Sequence, residues 1–70
     1  MFAVNLRQDD HTKRFSISPA KPSGWEVRFE EDRTLRRLDH YHDWHRVERT
    51  LTLFQREVRD LTEKGWRAEG

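Results

Sequence analysis

The hydrophobic period of this chain changes once, at residue 43, and that change limits the architectures open to it. Upstream, apolar residues alternate with polar ones: Phe2, Val4 and Leu6 with Ala3, Asn5 and Arg7, then Phe15 and Ile17, then Trp25, Val27 and Phe29 with Glu26, Arg28 and Glu30. A period of two marks strands with one buried face. Downstream, Trp44, Val47, Leu51, Phe54, Val58 and Leu61 are spaced by threes and fours, which marks a helix with a single apolar stripe. Asp43 stands where an N-cap belongs and Gly65 where a C′ residue belongs, so a long helix is predicted over about 44–64. Half-buried strands followed by one amphipathic helix predict an α+β fold. A small antiparallel sheet of three to five strands (β-hairpin, loop, β-hairpin) packs one face on the C-terminal helix and leaves the other open.

The connections follow from local chemistry. "QDDHTK" is rich in side chains that hydrogen-bond their own backbone and predicts a turn, joining strands at residues 2–7 and about 13–18 into a first hairpin. The stretch 19–24, with two prolines and a glycine, is a loop. "EEDRT" turns the third strand into a fourth, from about Thr34 to His42. In that strand Leu35 and Leu38 have opposite parity, which a bulge between them would reconcile. Tyr41 or His40, but not both, is expected on the buried side. Beyond Trp66 the tail either adds a final edge strand or tucks over the helix end, with 67–70 free to fray. Alternation does not set the strand order.

Seventy residues allow one domain, 1–70, with a small core. The absence of cysteine excludes disulfides, thiolate zinc sites and thiol nucleophiles within the chain. Lys plus Arg at 14 nearly cancels Asp plus Glu at 13, so binding to a polyanion would have to rest on a local patch. The start "MFAVNLRQDD" lacks a basic leader, and no apolar run reaches about 20 residues. The expectation is a cytoplasmic protein with no membrane segment.

Chemistry concentrates in "HYHDWHR", where His40, His42 and His45 surround Asp43. Two strand histidines of equal parity and one in the first helical turn are candidate metal ligands. Asp43, however, is needed as the helix cap, and a metal site requires supporting groups that a chain this small has few places to hold. Ser16, Ser18 and Ser23 lack a glycine-framed nucleophile turn, and three glycines do not make a phosphate-cradling loop. Glu30 and Glu31 adjoin a solvated turn. The sequence therefore predicts no catalytic residue, no resident metal, no cofactor and no enzyme activity.

For nucleic acid, the candidates are Arg28, Arg33, Arg36 and Arg37 of the second hairpin, with Trp25 and Tyr41 for stacking. The run "GWEVRFEEDRTLRR" followed by a helix resembles the amino-terminal arm-binding domain of tyrosine recombinases, which implies a sheet inserted into the major groove. "FQREVRDLTEKGW" is similar to the end of WGR domains, although the triplet that names that family is absent. Against phosphate contact stand Glu26, Glu30, Glu31 and Asp32 in the same hairpin. On the helix, Arg46, Arg49, Arg56 and Arg59 share a sector with Glu57, Asp60 and Glu63, which predicts intrahelical pairs such as Asp60 with Lys64 and Arg59 with Glu63. Leu53 lies about 200° from Leu51 and points away from the stripe. The first expectation is a non-enzymatic interaction or accessory module acting through its sheet face or an edge strand, on a protein partner or on itself as a homodimer. The alternative is a nucleic-acid-binding module using the four arginines.

Overall fold

The computed structural model describes residues 1–69. Four strands run as an antiparallel meander: β1 (Phe2–Gln8), β2 (His11–Pro19), β3 (Trp25–Glu31) and β4 (Thr34–Tyr41). The helix α1 (Trp44–Glu63) follows, and a two-residue strand β5 (Arg67–Ala68) returns to pair with β1. The sheet order is β4-β3-β2-β1-β5, so the fold is the α+β arrangement of one helix on one face of an antiparallel sheet. The first hairpin joins the second through β2, which alternation alone left undetermined. Pro19 belongs to β2, opposite Trp25, and the connection is correspondingly shorter than 19–24.

The core is the meeting of the two periodicities. Leu6, Phe15, Ile17 and Val27 from the sheet are buried against Val47 and Phe54 from the helix. The Phe15 ring lies 4.9 Å from Phe29 and meets Phe54 edge-on at 5.0 Å, geometries that favour aromatic pairs beyond their buried area. Leu51, Val58 and Leu61 continue the stripe as half-buried residues. Trp44 opens it at the rim, 5.0 Å from Trp25.

Both helix ends close as their residues dictate. Asp43 is extended and its carboxylate accepts the His45 N–H at 2.9 Å, satisfying one of the orphan donors of the first turn. At the other end the Gly65 N–H donates to Thr62 O and the Trp66 N–H to Leu61 O, with Gly65 at φ 102. This pair of bonds is a Schellman motif, which needs a left-handed residue where Gly65 stands. It turns the chain back so that Arg67 and Ala68 reach Arg7 and Leu6. The tail therefore forms the edge strand at 67–68; Glu69 also donates its N–H to Asn5 O, and residue 70 lies outside the described residues. The anticipated pairs Asp60–Lys64 and Arg59–Glu63 are not among the ion pairs formed by the described residues. The helix owes its position to its stripe and caps.

The phase problem in β4 resolves as a bulge. Arg37 faces Phe29 and Leu35 faces Glu30, which leaves Arg36 without a partner. One extra residue flips the facing, so Leu35 and Leu38 fall on the same side, away from the helix. Tyr41, opposite Trp25, packs at the core, whereas His40, opposite Glu26, lies on the open face. The turn between β3 and β4 places Asp32 at φ 51 and Arg33 at φ 66, as a two-residue type I′ hairpin turn requires. Asp32 ties the two hairpins together. Its backbone N–H donates to Thr12 O at 2.8 Å, and its carboxylate accepts the Thr12 N–H at 3.0 Å and lies 3.2 Å from His11 Nδ1. The Thr12 bond first, and His11 second, hold the Asp32 carboxyl below its ordinary pKa.

Candidate functional site

Packing leaves the sheet face opposite the helix uncovered. Four cross-strand rows define it. Nearest the prolines, His40, Glu26 and Ser18 lie side by side; then Leu38, Arg28, Ser16 and Ala3; then Leu35, Glu30, Arg14 and Asn5; and at the turn end Thr12, Arg7 and Arg67. Leu35 and Leu38 are 44% and 53% exposed. Ser16, by contrast, is buried although it sits on this face, between Ala3 and Arg28 of the neighbouring strands. The face therefore has raised leucines along β4 and a floor of small residues along β1 and β2.

Its charges are arranged within the sheet. Arg28 lies between two carboxylates, 3.7 Å from Glu26 and 3.5 Å from Glu30. Its Nε is buried and finds no hydrogen-bond acceptor among the described residues. Arg14 donates to Asn5 Oδ1 at 2.9 Å and has no carboxylate partner among the described residues. Arg7 donates to Asp9 O and pairs with Glu69 at 3.6 Å. These exposed ion pairs contribute little to stability, and their value lies in the charge pattern they present.

The four arginines of the second hairpin do not share one surface. Arg28 is on the open face. Arg37 is on the helix side, where its guanidinium binds Asp39 and the Tyr41 hydroxyl and lies 5.9 Å from the centre of the Phe54 ring. Asp39 foremost, against the cost of burial, raises the Arg37 pKa, so this group is a fixed cation of the core's border. Arg36 occupies the bulge and pairs with Glu31 at 3.7 Å. Arg33 stands in the strained turn, beside a depression of about 170 Å³ that Asn5, Arg7, Thr12 and Arg14 also line. The aromatic candidates lie elsewhere: Trp25 and Tyr41 pack against the core on the helix side. Sequence reasoning missed Arg14 and the outward pairing of Leu35 with Leu38, since neither is visible before register is known.

The histidines divide as well. The His40 and His42 rings meet at 4.6 Å, and His40 Nε2 lies 2.9 Å from Ser23 O. His45 contributes its backbone N–H to the cap. Among the described residues no three His, Cys, Asp or Glu side chains assemble into a group that could hold a metal ion. Glu30 and Glu31 point to opposite faces, toward Arg28 and toward Lys13, so they do not form a carboxylate pair. An opening of about 570 Å³ between Gln8, Asp9, Gly65 and Arg67 is broad and open to solvent. Among the described residues no helix is long and apolar enough to cross a membrane.

Fold and surface together define a class: a small sheet-and-helix domain that buries one sheet face and presents the other as a patterned plane. Compared with known proteins, the chain matches no family model, and neither a curated protein nor a solved structure matches it.

Proposed function

We propose that this protein is a non-enzymatic interaction module that engages a protein partner through the open sheet face. The observation that carries the reading is the pair Leu35 and Leu38, brought onto one face by the bulge at Arg36 and left exposed beside a floor of small side chains. Two adjacent exposed leucines on a surface where Arg28 and Arg7 are held by ion pairs within the chain supply apolar area to a docking partner. Phosphate is the weaker match. Arg28 is already held by two carboxylates, and the stacking aromatics are on the other side of the sheet, whereas nucleic-acid surfaces combine free cations with exposed rings.

Site-specific photo-crosslinking in cells tests this. A photoreactive residue at Ser18 or Leu38, on the open face, should give discrete adducts, and one at Thr52, on the outer helix face, should give none. No adduct from the sheet positions, or equal adducts from Thr52, would refute the reading.

A further inference from the structure

The open face divides into two halves that complement each other. The half formed by β3 and β4 carries the protruding Leu35 and Leu38 and one net negative charge, from Glu26, Arg28 and Glu30. The half formed by β1 and β2 carries Ala3, Ser16, Ser18, Asn5 and Thr12, together with the cation Arg14 and with Arg7, whose charge Glu69 offsets. Raised, apolar and acidic on one side faces low, small and basic on the other. A surface of that kind matches itself after a half-turn.

We infer that the partner seated on this face is a second copy of the chain, stacked face to face about a two-fold axis that runs along the strands between β2 and β3. The inference rests on the interaction-module reading and names its partner. Such an axis exchanges β3 with β2 and β4 with β1. Because Arg14 and Glu30 are cross-strand neighbours, as are Arg28 and Ser16, the axis sets Glu30 of each copy over Arg14 of the other. Leu38 comes to lie over Ala3, with the buried Ser16 beside it, and Leu35 over Asn5. Every contact occurs twice, as an isologous interface demands. Arg14, without a carboxylate of its own among the described residues, gains one. Paired sheets of this type stack about 10 Å apart with their strands inclined by about 30°, so the register holds best at the centre, where Glu30 and Arg14 stand.

Size sets the expected strength. Four strands at about 4.8 Å spacing and about seven residues at about 3.4 Å give a face of roughly 20 by 24 Å. Both copies together then bury on the order of 1,000 Å², the lower end for a specific interface. The dimer is accordingly weak, populated at protein concentrations on the order of 10 to 1,000 µM.

Equilibrium sedimentation of the full chain across that range tests the inference, with charge swaps to locate the interface. Wild type should show reversible monomer–dimer exchange. Glu30→Arg and Arg14→Glu should each weaken the dimer by at least about tenfold, because each sets like charges together twice. An equimolar mixture of the two variants should recover it, since each then meets its opposite charge on the other copy. Both substitutions also disturb the cross-strand pair within the chain, and mixing does not repair that, so recovery reports the interface alone. Leu38→Glu, at an exposed position beside Arg28, should weaken the dimer while leaving the thermal melt of the dilute protein in place; Leu53→Glu, on the outer helix, should change neither. Wild type that remains monomeric throughout, a mixture that fails to dimerise, or a dimer indifferent to Leu38→Glu would overturn the inference. Open-face adducts to a different protein, with a monomeric chain, would overturn the second copy and leave the interaction-module reading standing.

Discussion

Arg33 occupies a backbone conformation that its side chain disfavours, and replacing it should make the protein more stable. At φ 66, directly after Asp32 at φ 51, it fills the second position of a type I′ turn, where glycine is strongly preferred. A side chain in the left-handed region costs about 1–2 kcal/mol. Glycine returns about 0.5–1 kcal/mol of that through its greater freedom in the unfolded chain. Arg33 is exposed and forms no ion pair with the described residues, so its removal forfeits no paired charge. Arg33→Gly should therefore gain about 0.5–1 kcal/mol, which for a domain of this length raises the melting temperature by about 2–8 °C. Arg33→Ala keeps the strain and should stay within about 0.5 kcal/mol of wild type. Thermal unfolding followed by circular dichroism, at concentrations too low for self-association, measures both. If the glycine variant were no more stable than the alanine variant, the strain argument would fail. A guanidinium contact important to folding would then have to be sought.

Phe54 is 4% exposed and touches both Phe15 and Phe2 rings at 5.0 and 6.4 Å, so Phe54→Ala should cost about 3–5 kcal/mol. That is a large part of the total for a 70-residue chain, about 4–10 kcal/mol; a chemical denaturation midpoint close to wild type would contradict the assigned core. Asp32 supplies a pH test. Its folded pKa is lowered, so its stabilisation is fully present above the ordinary aspartate value and disappears as the pH falls through the folded one. The melting-temperature gap between wild type and Asp32→Asn should hold across neutral pH and close on acidification below the ordinary aspartate range. A gap that stayed constant through that range would rule out the charged hydrogen bonds to Thr12 and His11 as its source.

What the sequence disclosed was whatever depends on neighbours along the chain. Alternation located β1, β2 and β3, the three-four spacing located α1, and Asp43 and Gly65 marked its ends, because each of these signals is set within a few residues. Even the bulge in β4 was legible, since Leu35 and Leu38 could share a face only through an extra residue. The side on which they then fell was not. That depends on the register with β3, which sets Leu35 opposite Glu30 and Leu38 opposite Arg28 on the open face, while expelling Arg36 leaves Arg37 opposite Phe29 and facing inward. The arginines of the second hairpin looked like one basic group for the same reason: spacing along a strand gives the relative facing of residues only where the ladder is unbroken. The juxtaposition of Arg14 with Glu30 is set by pairing between strands from different hairpins, a contact no local pattern encodes.

The edges of the sheet sharpen the case for the face. β4 is an outer strand along its whole length, yet it carries a bulge at Arg36 and the charged pair Arg37 and Asp39, features that discourage addition of another strand. At the opposite side β5 covers β1 at Leu6 and Arg7, and Glu69 extends the cover to Asn5. What remains open there is the short stretch Phe2–Val4, too brief to template a long ladder. The face has no such obstruction: its arginines are held in place by neighbouring carboxylates and an asparagine, and its two leucines stand clear of them. A core of this size has little stability to spare, and any occupant that binds only the folded chain adds to it by mass action. An antiparallel sheet can face water on one side in a domain that acts alone; a face that carries two exposed leucines is a different case. Such a face is consistent with a domain whose second layer is supplied by another molecule.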